Sequence, residues 1–461
     1  MAEEKSGFRY YKQVGIGALS GLLVLALIIL GLSFTVASAP KATNTPAPSS
    51  SATPTPTPTS TIARDCKVGD LATSPLLASM QAVVVNPATD EVLFDRGSTT
   101  PAATASTMKL LTAGAALMAL GPNYRVSTNV YADPANPGTI ILVGSGDPTL
   151  SRTKAGQQSV YKDAPKLSDL AVQVNAWATA NNVSTITNIV LDSSLFVGAS
   201  WEPSWERSEQ TKGYMSEVTA LEVDGDRSSP SSKDSPRSTT PVMNAGKAFK
   251  SALGAIAKTA TLAEGKLPTN SPTTIATVQS QPISTWIKHM LQTSDNTEAE
   301  YLARLVAIKE GLSPAFGSID LAIKKALLST GLDTTGVVIK DGSGLSDNNR
   351  VAPIVLVKFL KLVLNSYADF DLIKQGLPVA HESGSLAARF TGPNVDASGH
   401  ILAKTGWIKH GYTLAGIINS KDGTPLLFAI YALGSVTAET NTAIDTLATA
   451  FYRCGNKLSN Q

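Results

Sequence analysis

Ser106-Thr-Met-Lys109, Ser294-Asp-Asn296 and Lys404-Thr-Gly406 are the three stretches whose joint reading decides this chain. Between them they supply two serine hydroxyls and two lysine amines, in a fixed order along 461 residues. Together they describe a serine nucleophile whose proton is handled by lysine instead of histidine.

Ser106 and Lys109 stand three apart in a segment, Ala105 to Leu120, that reads as a helix stopped by Gly121-Pro122. At that spacing they share a face. In the first turn the backbone N–H of Ser106 has no helical partner, and the helix dipole favours negative charge there. To act as a base, Lys109 must be neutral. Burial and a second ammonium, Lys404, are expected to lower its pKa. Ser-x-x-Lys recurs at Ser38, Ser151 and Ser159. The first holds a proline, and the other two sit in polar, helix-poor stretches, so all three read as coincidence.

Ser-Asp-Asn also occurs twice. Ser294–Asn296 lies between two helical patterns, where a short loop aims Ser294 at the nucleophile and Asn296 at a substrate amide. The copy at Ser346–Asn348 sits in a turn-rich segment, and helix capping is the ordinary use of such residues. Lys404-Thr-Gly406 occurs once, at the end of an expected strand. There Lys404 and Thr405 can grip a carboxylate, Gly406 permits close approach, and the N–H of Trp407 supplies a second oxyanion donor.

The net charge of +2 and the lack of a basic stripe argue against nucleic acid as a partner. Four scattered histidines and two cysteines show no metal-ligand spacing, so neither metal nor cofactor is expected. No charged residue occurs between Lys12 and Lys41, and Gly15 to Ala37 is nearly all apolar. Two readings fit. One is a transmembrane anchor over 14–38, with residues 1–13 cytoplasmic and the rest exported. The other is a signal peptide cleaved after Ala37-Ser-Ala39, giving a secreted protein. A Pro/Thr/Ser linker over 39–63 follows as a semi-stiff spacer. In an exported chain Cys66 and Cys454 are expected to form a disulfide tying the ends together.

Strands are expected at Gln81–Val85, Glu91–Phe94, His400–Thr405, Tyr412–Ile418 and Leu426–Leu433, with a closing helix at Glu439–Tyr452. Two strands from the front and three from the back imply one antiparallel sheet flanked by helices, an α+β architecture. Residues 64–121 and 281–461 then form one catalytic domain. Residues 122–280, with strands at Thr139–Val143 and Ile189–Leu191, form an inserted second domain. Asp226 to Thr240, rich in Ser, Pro and Asp, reads as a mobile loop.

The chain resembles the D-alanyl-D-alanine carboxypeptidases of the low-molecular-mass class C penicillin-binding type (peptidase S13), some of which are DD-endopeptidases. Beyond the three triplets, the resemblance rests on Gly144-Ser-Gly-Asp-Pro-Thr-Leu150, Asp341-Gly-Ser-Gly-Leu-Ser346 with Asn349-Arg350, and Leu377-Pro-Val-Ala380 with Gly384-Ser-Leu386 and Arg389-Phe390. It implies a penicillin-binding, serine β-lactamase-like transpeptidase fold. It also implies peptidoglycan stem peptides as substrate and β-lactams as covalent inhibitors. By resemblance Ser106 is acylated, Lys109 is its base, Ser294 and Lys404 relay the proton, Asn296 holds the peptide amide and Thr405 the terminal carboxylate. Trp407 departs from the family, which usually has a small residue there. A β-lactamase, and a wall-binding or β-lactam-sensing module without turnover, are the rival readings.

Overall fold

A computed structural model describes residues 63–269 and 272–461. The apolar run at 14–38 and most of the linker lie outside them. Among the described residues no helix is long and apolar enough to cross a membrane.

The first sheet joins the two ends of the described chain. Strands β1 (Ser79–Asn86), β2 (Glu91–Arg96), β8 (Ile401–Ile408), β9 (Gly411–Asn419) and β10 (Pro425–Leu433) lie in the order β2-β1-β10-β9-β8, antiparallel throughout. β10 is apolar along almost its whole length because both of its faces are covered. Leu427, Ala429 and Tyr431 join one core, and Leu426, Phe428 and Ile430 join the other. This alternation is the period of two that a pleated strand imposes.

The helices that build the first core are α1 (Lys109–Leu120), α4 (Ile283–Thr293), α5 (Asn296–Lys309), α6 (Ile319–Leu327) and α7 (Pro353–Leu364). The opposite face is covered by α8 (Ala438–Cys454), through Ile444, Leu447, Ala448 and Phe451. Cys454 at its end is bonded to Cys66, and Cys66 N donates to Lys457 O at 3.0 Å, so the two ends of the described chain are tied together.

A second, mixed sheet contains β3 (Ser127–Ala132), β4 (Thr139–Val143), β5 (Asn188–Asp192), β6 (Thr261–Glu264) and β7 (Thr273–Gln279), in the order β6-β5-β4-β3-β7. Its β4–β5 and β5–β6 pairs are parallel and the others antiparallel. Helices α2 (Leu167–Ala180) and α3 (Pro241–Leu253) close a separate core over it. The stretch between does not stand apart. Phe196, Trp201, Trp205, Met215 and Val218 pack into the first core.

One expectation is overturned. The segment Asp226–Thr240 is an ordered loop with a buried base. Arg227 pairs with Arg237 as an isolated β-bridge, Ser228 N donates to Pro236 O at 3.0 Å, and the Asp226 carboxylate accepts from Ser238 N at 2.6 Å. Its polar composition satisfies internal hydrogen bonds that local sequence cannot reveal.

Candidate active site

Ser106 does not sit in the α-helix itself. Ala105–Met108 is a tight 3-10 turn, entered through Ala105 at φ 45°, and α1 starts only at Lys109. Non-glycine residues rarely adopt that left-handed conformation, which marks a locally strained entry to the serine. Lys109 Nζ lies 2.7 Å from Ser106 Oγ, 2.7 Å from Asn296 Oδ1 and 2.7 Å from Ser343 O. A neutral amine has two N–H donors and one lone pair. Donation to Asn296 and Ser343 would leave that lone pair facing the Ser106 hydroxyl.

Lys109 is fully buried. Burial lowers its pKa to about 8, against the opposing pull of Asp341, Glu300 and Asp295, and Lys233 adds to the lowering. Lys233 is thus a further cation acting on Lys109, beside the Lys404 ammonium that the sequence pointed to, whose repulsion with Lys109 is mutual. Lys404 is itself depressed well below the usual lysine range, by burial, then by Lys109 and Lys233. Its Nζ donates to Ser294 Oγ at 2.9 Å and to Thr405 O at 2.8 Å.

Ser294 closes α4 in a left-handed conformation, φ 62°. Asp295 then caps α5 by accepting from Glu298 N at 3.2 Å, so Asn296 begins a new helix. Asn296 Nδ2 donates to Tyr214 O at 3.0 Å. The other Ser-Asp-Asn copy is engaged elsewhere. Ser346 Oγ meets Ser204 Oγ at 2.6 Å, and Ser346 N donates to Asp341 at 2.6 Å.

Lys404-Thr-Gly406 lies within β8, which runs on through Trp407 to Ile408, farther than the sequence suggested. β8 is the edge of its sheet. Ala403 N, on the side away from β9, donates to Pro378 O at 2.9 Å. By the two-residue alternation of a strand, the N–H groups of Thr405 and Trp407 face the same open side. A Cβ on Gly406 would overlap Thr413 Oγ1 and lie 2.9 Å from Ser106 N, so glycine lets β8 close over the serine. Thr405 Oγ1 meets Ser385 Oγ at 2.7 Å. Trp407 is 45% exposed, its indole edge-on to Tyr214 with ring centroids 6.2 Å apart.

These residues share one cleft of about 360 Å³, lined by Ser106, Ser294, Asn296, Thr405, Gly406 and Trp407. Lys109 and Lys404 are buried behind it. All eight catalytic and substrate-binding candidates are thus brought together, whereas the Cys66–Cys454 pair ties the chain ends. Sequence reasoning missed the supports. Glu300, pushed up to about 8 by burial and by Asp341, accepts from Ser343 N at 2.7 Å and fixes the carbonyl that holds Lys109. Asp341 accepts from Gly344 N at 2.8 Å. Only the glycine-rich character of Asp341–Ser346 hinted at this. His289, Asp295 and Glu298 converge as a metal site might, but Arg227 Nη2 already holds Asp295 Oδ2 at 2.6 Å, supplying the positive charge.

The comparisons with known proteins agree on the family. A model of the D-Ala-D-Ala carboxypeptidase 3 (S13) family matches residues 65–237 and 228–451. Carboxypeptidase DacB of Mycolicibacterium smegmatis is 33% identical over 385 residues, 83% of this chain and 82% of that protein. The D-alanyl-D-alanine carboxypeptidase of an Actinomadura species is 28% identical over 417 residues, 76% of each. The crystal structure of penicillin-binding protein 4 (dacB) from Haemophilus influenzae superposes with a TM-score of 0.70 at 20% identity, covering 84% of this chain and 99% of that one. That likeness establishes a common fold of antiparallel and mixed sheets flanked by helices. On the two family matches and the DacB relative, this chain belongs to the D-Ala-D-Ala carboxypeptidase (S13) family.

Proposed function

We infer that Ser106, Lys109, Ser294 and Lys404 carry out the reaction of this serine D-Ala-D-Ala carboxypeptidase on peptidoglycan stem peptides. The observation that carries the reading is the chain of contacts from Lys109 to Ser106 and from Lys404 to Ser294 inside one cleft.

Neutral Lys109 takes the Ser106 proton as Oγ attacks the carbonyl of the penultimate D-Ala. The oxyanion is held by the backbone N–H groups of Ser106 and Trp407, fixed donors aimed at a site where charge develops. The C–N bond breaks as the leaving amine takes a proton through Ser294 from Lys404, and D-Ala departs. The proton held by Lys109 passes to Lys404, which restores both amines to their starting states. Lys109 then takes a proton from water as it attacks the acyl ester and returns it to Ser106 Oγ as the ester C–O bond breaks. Asn296 and Thr405 hold the peptide amide and the terminal carboxylate, and Gly406 admits the substrate backbone. The same steps would open a cross-link whose leaving amine belongs to a neighbouring stem. β-Lactams would acylate Ser106. A second crystal structure of the Haemophilus influenzae protein, with a TM-score of 0.65 to this chain, contains a β-lactam.

The proposal extends to organisation and place. Residues 64–121 with 281–461 would be the catalytic domain and 122–280 an insert; the separate core over the second sheet supports this. The apolar run at 14–38 would hold the enzyme to the membrane from outside the cytoplasm, which suits a chain with a disulfide. Release of D-Ala from a stem pentapeptide, measured for the full-length protein and for Ser106→Ala, tests the function. Turnover by the first and none by the second is expected. Equal release by both would refute the assignment.

A further inference from the structure

We propose that Lys233 and Arg237, carried on the ordered loop between Asp226 and Ser238, form a carboxylate-binding subsite in the cleft. The proposal rests on the peptidase reading and adds a recognition element from outside the three motifs.

Four cations besides the catalytic lysines line the cleft: Arg227, Lys233, Arg237 and Arg389. Two are already neutralised. Arg227 is paired with Asp295 at 2.6 Å, and Arg389 with Asp445 at 2.6 Å. The other two are not. Lys233 is exposed and makes neither an ion pair nor a side-chain hydrogen bond among the described residues. Arg237 is only 7% exposed. Its Nη1 donates to the backbone carbonyl of Ser235, and its Nε is buried without a partner.

A carboxylate arriving in the cleft would meet the charges of Lys233 and Arg237, both of which line it and neither of which is held in an ion pair among the described residues. The acids lining the cleft do not neutralise both. Asp295 is taken by Arg227, and Glu209 lies 3.3 Å from Lys212. Asp234 is exposed and joins neither Lys233 nor Arg237 in an ion pair among the described residues. It offsets one charge at most.

The loop is held in advance of binding. Asp226 accepts from Ser238 N and Oγ at 2.6 and 2.7 Å, and Ser228 Oγ meets Ser235 Oγ at 2.8 Å. Little ordering is left for a ligand to impose. Lys233 lines the same cleft as Ser106, and its charge lowers the pKa of both Lys109 and Lys404. The ligand chemistry is a carboxylate of the peptide, either at its C-terminus or on the acyl side.

The test compares kcat/KM of the full-length protein with that of Lys233→Ala, Lys233→Glu and Lys233→Arg on three peptides. One ends in D-Ala-D-Ala and carries an acyl-side carboxylate, one is the same peptide amidated at its C-terminus, and one lacks the acyl-side carboxylate. Lys233→Ala should lose about tenfold more on the first peptide than on the peptide missing the group it reads, the worth of one charge-assisted hydrogen bond, any uniform loss reporting its field on Lys109 and Lys404. Lys233→Glu should lose more, and Lys233→Arg should recover most of the rate. The amide arm then identifies the C-terminal carboxylate, and the third arm the acyl-side one. An equal loss on all three peptides, or no loss on any, overturns the subsite. Arg237→Lys keeps the charge but loses Nε–H; unchanged kinetics would remove Arg237 from the site. A wild-type enzyme that releases no D-Ala would instead overturn the function on which the inference rests.

Discussion

Arg227 Nη2 and Asp295 Oδ2 lie 2.6 Å apart, each side chain 3% exposed. The middle residue of the Ser294-Asp-Asn296 motif is therefore gripped by a residue from the segment between the first motif and the second. Burial alone would raise the pKa of Asp295, but Arg227, His289 and Arg237 hold its carboxyl well below the usual range. The pair fixes the cap of α5, and with it the directions of Ser294 and Asn296.

Breaking this pair from one side should be costly. Arg227→Met leaves a buried carboxylate unpaired and should destabilise the protein by about 3–5 kcal/mol. Acylation should slow as the Ser294 loop loses its register. Replacing both partners, Arg227→Met with Asp295→Leu, should recover part of the stability. Thermal melts of the single and double variants check this. A double variant no more stable than Arg227→Met would contradict it.

Acylation should be pH-dependent in a definite direction. The folded pKa of Lys109 is lowered to about 8 by burial, so below that pH the amine is mostly protonated and cannot accept the Ser106 proton. The acylation rate should therefore rise with pH and level off above about 8. Lys109→Arg, which stays charged throughout, should abolish it. A flat profile between pH 6 and 9 would contradict the role of Lys109.

Gly406→Ala should separate the strand from the serine. The added Cβ would overlap Thr413 Oγ1 and crowd Ala105 Cβ and Ser106 N, both at 2.9 Å. Such overpacking typically costs about 1–3 kcal/mol. Because the same clash moves β8 away from Ser106, the loss of kcat/KM should be at least tenfold while the fold persists. Circular dichroism with steady-state kinetics checks this.

The three motifs and the two-ended sheet were legible because each rests on local pattern. Short continuous apolar runs mark β1 and β10, and the triplets keep their chain order. Element edges shifted where tertiary pairing decides them, as in β8, which continues past Thr405 because β9 pairs with it through Ile408. The loop at Asp226–Thr240 was misread because Ser, Pro and Asp look alike in a mobile turn and in a network of internal hydrogen bonds. Its ties to Asp295 and Gln210 span too many residues for composition to show. The same holds for Glu300 and Ser343, whose roles arise only when α5 is packed beside the Asp341–Ser346 turn.

The central claim is that Ser106 is the attacking oxygen. Incubating the protein with a penicillin, digesting it and locating the adduct by mass spectrometry tests this most directly. The account predicts one covalent adduct on the peptide bearing Ser106, lost in Ser106→Ala. An adduct on Ser151, Ser159 or Ser346, or none at all, would contradict it.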